Sequence, residues 1–189
     1  MRPPGLLRLG KSAMRVTRLG QKSKMRDRLP GICLMSDQRI KTPCIGRCST
    51  VYGDLVCRGC KRFHHEVVNW NVYDEAAKRS VWQRLEVLLV QVMVGKLEVF
   101  DAPRLRQQLE ARQIRFVAEQ SPYCWAYQLI ARGARVIQQL EAYGVALLPE
   151  FREWSLLQLR DAIDQEYFLL SRAHYDRYIA PEFVVGEAR

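Results

Sequence analysis

The chain lacks any apolar run long enough to cross a bilayer. Its longest, Val87 to Val94, is broken by Gln91, whereas a helical span takes about 20 residues, so a membrane-spanning helix is excluded. The N-terminus has no apolar core of roughly 7–15 residues, so no secretory signal is expected. No P-loop, GxGxxG, HExxH or GxSxG motif occurs, so the usual signatures of nucleotide-binding, zinc-protease and serine-hydrolase sites are missing. No acid–base constellation is visible among the three histidines and the scattered carboxylates, and no catalytic site of the chain's own is expected. There is no internal repeat. Apolar and polar residues seldom alternate, which speaks against an extensive sheet.

What is present begins with charge. The 189 residues carry 30 Lys/Arg and 20 Asp/Glu, a formal +10, with 48% apolar residues, the balance of a globular protein. The charge is uneven. Residues 1–34 hold nine basic side chains and one acid, Asp27, whereas residues 35–189 are nearly balanced at +2. The basic leader, interrupted by Gly5, Gly10, Gly20 and Gly31, reads as disordered. Three readings of it are open: upstream sequence ahead of a true start at Met35, which is favoured, a nucleic-acid-binding arm, or an organelle transit peptide. Outside it no basic stripe stands out, so nucleic acid is expected to bind only weakly, through the leader. The one other place where a strand could be held is Arg58, Lys61 and Arg62 with Phe63 or Trp70.

Six cysteines occur, at 33, 44, 48, 57, 60 and 124, and four of them fall within PCIGRCSTVYGDLVCRGC as C-x3-C-x8-C-x2-C. Without an export signal the expected compartment is the reducing cytoplasm, where paired cysteines read as a metal site rather than as disulfides. Each pair sets two thiolates on one tight turn. Gly46 and Gly59 lie within the turns, where left-handed backbone or close approach to the metal is needed, and Gly53-Asp54 marks a turn between them. Cys44, Cys48, Cys57 and Cys60 are therefore the candidate ligands. Four thiolates suit tetrahedral zinc and equally suit an iron–sulfur cluster, although the spacing matches no common ferredoxin pattern. The alternative without metal is four free cysteines in one loop. His64, three residues beyond Cys60, could stand in for one thiolate in a mixed zinc site, or simply face solvent with His65. Trp70 is expected to cover the loop with its ring, and Cys124 to be a buried, inert thiol.

PCIGRC and VCRGC, followed by Glu66, Trp70 and a helix with Arg79 and Leu85, resemble the family of small bacterial predicted iron–sulfur proteins typified by YdhL, a domain of unknown function. The resemblance spans about residues 43–85. It implies that Cys44, Cys48, Cys57 and Cys60 hold an iron–sulfur cluster, with zinc as the alternative, and it implies nothing about residues 86–189.

Asp74 caps a helix to about Val94, with Ala77, Val81, Leu85, Leu88 and Val92 on one face and Gly95 at its end. Lys96 to Phe100 is a short strand or loop. Asp101 caps a second helix, with Pro103 in its first turn. Ser121-Pro122 opens a third, with Tyr123, Tyr127, Ile130, Ala134, Ile137 and Leu140 on its face and Gly144 closing it. Ser155 opens the last, with Leu156, Leu159, Ile163, Tyr167, Leu170, His174 and Tyr178, ended by Pro181. The aromatic residues read as core, and Asp161, Asp164 and Glu166 as a solvated face. The fold class is mainly α: a basic leader (1–34), a four-cysteine metal-binding loop module (43–73) and a body of about four helices (74–181). The expected function is metal binding, as an iron–sulfur protein in electron transfer or sensing, or as a zinc-stabilised interaction module for protein or nucleic acid. The expected partner is a protein, and no membrane is involved.

Overall fold

The computed structural model describes residues 40–181, so the basic leader and Cys33 lie outside the described residues. The chain is mainly helical. After the cysteine loop come α1 (His64–Val68), α2 (Glu75–Val94), α3 (Ala102–Ala111), α4 (Pro122–Gly133) and α5 (Leu156–Tyr178). Two short strands, β1 (Leu97–Val99) and β2 (Val145–Leu147), pair antiparallel, with Val99 opposite Val145.

The helix starts follow local chemistry. Asp74 accepts the amide of Ala77 at 2.7 Å, Asp101 that of Arg104 at 2.9 Å, and Ser155 that of Gln158 at 3.2 Å in a reciprocal capping box. Among the described residues no helix is long and apolar enough to cross a membrane. The core forms where α2, α4 and α5 pack together with α3. Met93, Leu105, Leu109, Leu129, Ile130, Leu159 and Ile163 are essentially solvent-free there. Tyr167 keeps its hydroxyl satisfied inside this core by donating to the Leu85 carbonyl at 2.9 Å.

Three expectations need correction. The helix opened by Ser121-Pro122 stops at Gly133 rather than running to Gly144, because the chain folds back at once and lays Ile137 against the place where a Gly133 side chain would stand. Its buried face is Cys124, Trp125, Ala126, Leu129 and Ile130, with Tyr123, Tyr127 and Ile137 at the margin. Of the residues released from helix, Leu140–Tyr143 form a 3₁₀ turn, and beyond Gly144 comes β2, a strand that the sequence reading does not contain. Gly144 makes that strand pairing work. Its φ of +78° suits glycine, a side chain there would collide with Asp101, and its carbonyl receives the amides of Phe100 and Asp101, each at 3.1 Å. Along α5 the fully buried stripe continues from Tyr167 through Ser171 and Tyr175; Leu170 packs half-buried at the margin of the core, His174 is half-buried, and Tyr178 is exposed. Steps of four from Tyr167 keep to the face that meets the cysteine loop.

The third correction concerns charge. Asp164 and Glu166 do not merely sit on a solvated face. Each pairs with a buried lysine, Lys61 and Lys96 respectively.

Candidate metal centre

The cysteine residues are carried on two turns. In the first, Gly46 adopts a φ of +81° and donates its amide to Cys44 Sγ at 3.4 Å. The chain then passes Cys48, whose Sγ lies 3.0 Å from Thr50 Oγ1, into a 3₁₀ turn at Thr50–Tyr52 closed by left-handed Gly53. In the second, Val56 and Phe63 form an antiparallel bridge. The Cys57 amide donates to the Arg62 carbonyl at 2.8 Å, and the Lys61 amide donates back to the Cys57 carbonyl at 2.8 Å. The reversal places Lys61 at a φ of +59°.

The two turns meet face to face at Gly59. A side chain there would stand 2.5 Å from the Arg47 carbonyl and press on Ile45, so only glycine lets the second turn close on the first. Cys57 Sγ reaches the same Arg47 carbonyl at 3.6 Å. Cys57 and Cys60 are buried and in contact with each other, Cys48 is half-buried and Cys44 is exposed. Among the described residues no three Cys, His, Asp or Glu side chains converge to metal-ligating distance. The fold thus brings the turns together and joins Cys57 to Cys60, with Cys44 and Cys48 on the facing turn. His64 is exposed at the start of α1, its amide donating to the Leu55 carbonyl at 2.8 Å. Cys124 lies apart in α4, where burial pushes its thiol up to about 12.

The surroundings favour negative sulfur. Burial opposes ionisation of Cys57, but amide donors from Cys60, Ser49 and Gly59 outweigh it and bring the thiol from 9.0 down to about 7. At Cys60 burial dominates and raises the thiol, against the opposing pull of Arg62. Arg62 is itself buried. Its Nε donates to Cys60 Sγ at 3.3 Å and its guanidinium lies 4.9 Å from the centre of the Trp70 ring. Trp70 therefore covers the loop by way of Arg62. Arg62 Nη1 is buried with no hydrogen-bond partner among the described residues, an unmet donor beside Cys60. Lys61, 1% exposed, donates to the Arg58 carbonyl at 2.6 Å and pairs with Asp164 of α5. Behind α1, Glu66 accepts the Phe63 amide at 2.9 Å and Arg84 Nη2 at 2.6 Å, and the Arg84 guanidinium sits 3.8 Å over Phe63. These buried cations are what the sequence reading missed. The sequence reading sets Lys61 and Arg62, with Phe63 or Trp70, as a place to hold a strand, yet all four are buried.

Soft thiol donors on two apposed turns, amides aimed at sulfur and buried cations beside them are the donor chemistry of a thiolate metal centre. A family model described as a protein of unknown function (DUF1289) matches residues 42–88. That is about a quarter of the chain, and it takes in all four cysteines, α1 and most of α2. No curated protein and no solved structure matches the chain.

Proposed function

We propose that this chain is a metal-binding protein in which Cys44, Cys48, Cys57 and Cys60 hold an iron–sulfur cluster serving electron transfer or sensing, with a protein as its partner in the cytoplasm. The observation that carries the cluster reading is the unmet Arg62 Nη1 donor beside Cys60. Inorganic sulfides would bring acceptors to that corner, and a bare zinc ion would not. A centre of four thiolates also carries net negative charge, which buried Arg62, donating to Cys60, offsets. When bound, the cluster would supply one-electron redox chemistry. The chain's own contribution is to donate amides to the sulfurs, to keep water from Cys57 and Cys60, and to hold positive charge beside them.

Zinc is the second reading, and the Cys57 turn favours it. Amides of Gly59 and Cys60 both aim at one sulfur across a two-residue turn, which frames a single ion. In that case the module is a structural one for protein or nucleic-acid interaction. Anaerobic purification followed by metal analysis and visible spectroscopy separates the two. Iron with acid-labile sulfide and visible absorption supports the cluster. A colourless protein with one zinc per chain replaces it with the second reading.

A further inference from the structure

A polar cleft of about 880 Å³ lies between the cysteine loop and residues of α4 and α5. Four guanidinium groups line it: Arg47 and Arg58 from the loop, Arg135 just beyond α4, and Arg160 from α5. Two of them are already engaged. Arg58 Nε donates to Asp54 at 3.0 Å, and Arg160 donates to its neighbour Asp161 at 2.6 and 2.8 Å. The remaining acid of the lining, Asp164, is paired with Lys61 and receives the Tyr127 hydroxyl at 3.4 Å. Arg47 and Arg135 have no carboxylate partner among the described residues, and both are exposed.

Two unpaired guanidinium groups lining one cleft are matched by an oxyanion, since the planar fork pairs with phosphate oxygens two at a time. The volume falls within the range of about 300–1,000 Å³ usual for small-molecule sites. Tyr52 completes the lining. It is 88% exposed, an aromatic ring left in water at the side of a cationic cleft, where a nucleobase can stack.

We propose that this cleft binds a phosphate-bearing ligand with an attached base, its phosphates held by Arg47 and Arg135 and its base against Tyr52. The same chemistry is offered by a free nucleotide and by the end of a single strand. Arg47 and Tyr52 lie within the stretch matched by the family model, while Arg135 lies outside it, so the site is made by joining the cysteine loop to this particular helical body. The inference does not depend on which metal the cysteines hold.

The test is calorimetry on the full chain at about 150 mM salt, with ATP, pyrophosphate and a short 5′-phosphorylated oligothymidylate as probes and metal content measured alongside. ATP or the strand should bind, and Arg47→Glu and Arg135→Glu should each weaken binding about tenfold or more. Both variants should keep the parent's metal content and thermal midpoint. Arg47→Gln and Arg135→Gln, with smaller losses, serve if a reversed charge disturbs folding. Tyr52→Ala should weaken ATP about fivefold or more while leaving pyrophosphate unchanged. Tighter binding of ATP assigns the free nucleotide as the source, and tighter binding of the strand assigns the strand end. No binding of either at about 1 mM, or binding that both charge reversals leave intact, as attachment to the basic leader would be, overturns the proposal. Equal effects of Tyr52→Ala on ATP and pyrophosphate overturn its base-stacking half.

Discussion

In the helical body the buried side chains are overwhelmingly apolar, with Lys96 and Ser171 as exceptions, whereas the short cysteine loop and α1 bury Lys61, Arg62 and Glu66. Apolar burial is stabilising wherever it occurs. A buried cation is stabilising only where an acceptor meets it, and costs several kcal/mol where none does. The loop's apolar contribution is small, Val56 and Phe63 packed on Tyr175 of α5 and Trp70 on the main core, and beside it lie Thr50, the charged groups and the sulfurs of Cys57 and Cys60. The body therefore needs no ligand to hold its shape, while the loop is arranged around chemistry that a metal would complete.

The largest effect that this contrast predicts is on the body. Leu129→Ala or Ile163→Ala, both at positions 0% exposed, should cost about 2–5 kcal/mol in chemical unfolding and take loop and body down together. If the body melts unchanged, its core is misassigned. Next comes the loop. Serine at any one of Cys44, Cys48, Cys57 or Cys60 should release metal and raise hydrogen exchange across residues 43–73, while the body's midpoint moves by less than about 5 °C. Cys124→Ser should keep its metal. Full metal content in two of the four single variants would sink the four-ligand centre.

A smaller effect is expected where the two regions touch. Asp164→Asn leaves Lys61 buried without its counter-charge. Because the Asp164 side chain is half exposed and screened, the loss should be about 1–2 kcal/mol. Lys61→Met with Asp164→Asn should recover part of it, and a strictly additive double variant would show that the pair does not couple. The last effect is on pH, and it is small until the solution is well above about pH 9. Burial raises the Cys124 thiol from 9.0 to about 12 and holds the Tyr127 and Tyr167 hydroxyls above 10.0. Above about pH 9 the unfolded chain gives up protons that the folded chain keeps. Stability from these groups is thus complete below pH 9 and declines as pH rises towards 12. Urea midpoints across that window should fall. A flat profile would place these side chains in water.

Helix starts were legible because each rests on one local signal, as at Asp74, Asp101 and Ser155. The four cysteines were legible from spacing, and so was the need for Gly46 and Gly59, the first for its φ and the second for close approach. The end of α4 was not. An apolar period continues through Ile137 and Leu140 whether the chain goes on as helix or folds back, and only the packing of Ile137 on Gly133 decides. β2 was hidden for a similar reason: three residues pair only because β1 is already in place. The buried cations were hidden because Lys and Arg ordinarily face water, and their acceptors, Asp164 and Cys60, lie 103 and 2 residues away.

The bridge of Val56 and Phe63 onto Tyr175 fixes the cysteine loop to the last turns of α5, beyond the reach of the main core. Helix ends fray at far lower free energy than a core opens. An opening of α5 past Ser171 would uncover Phe63 and, with it, the backbone that sets Cys57 and Cys60 side by side, while α2, α3 and α4 remained folded. Access to Cys57 and Cys60 is then governed by a local breathing motion at one end of one helix, and a partner that clasped residues 172–181 would shield these two thiols without touching a cysteine.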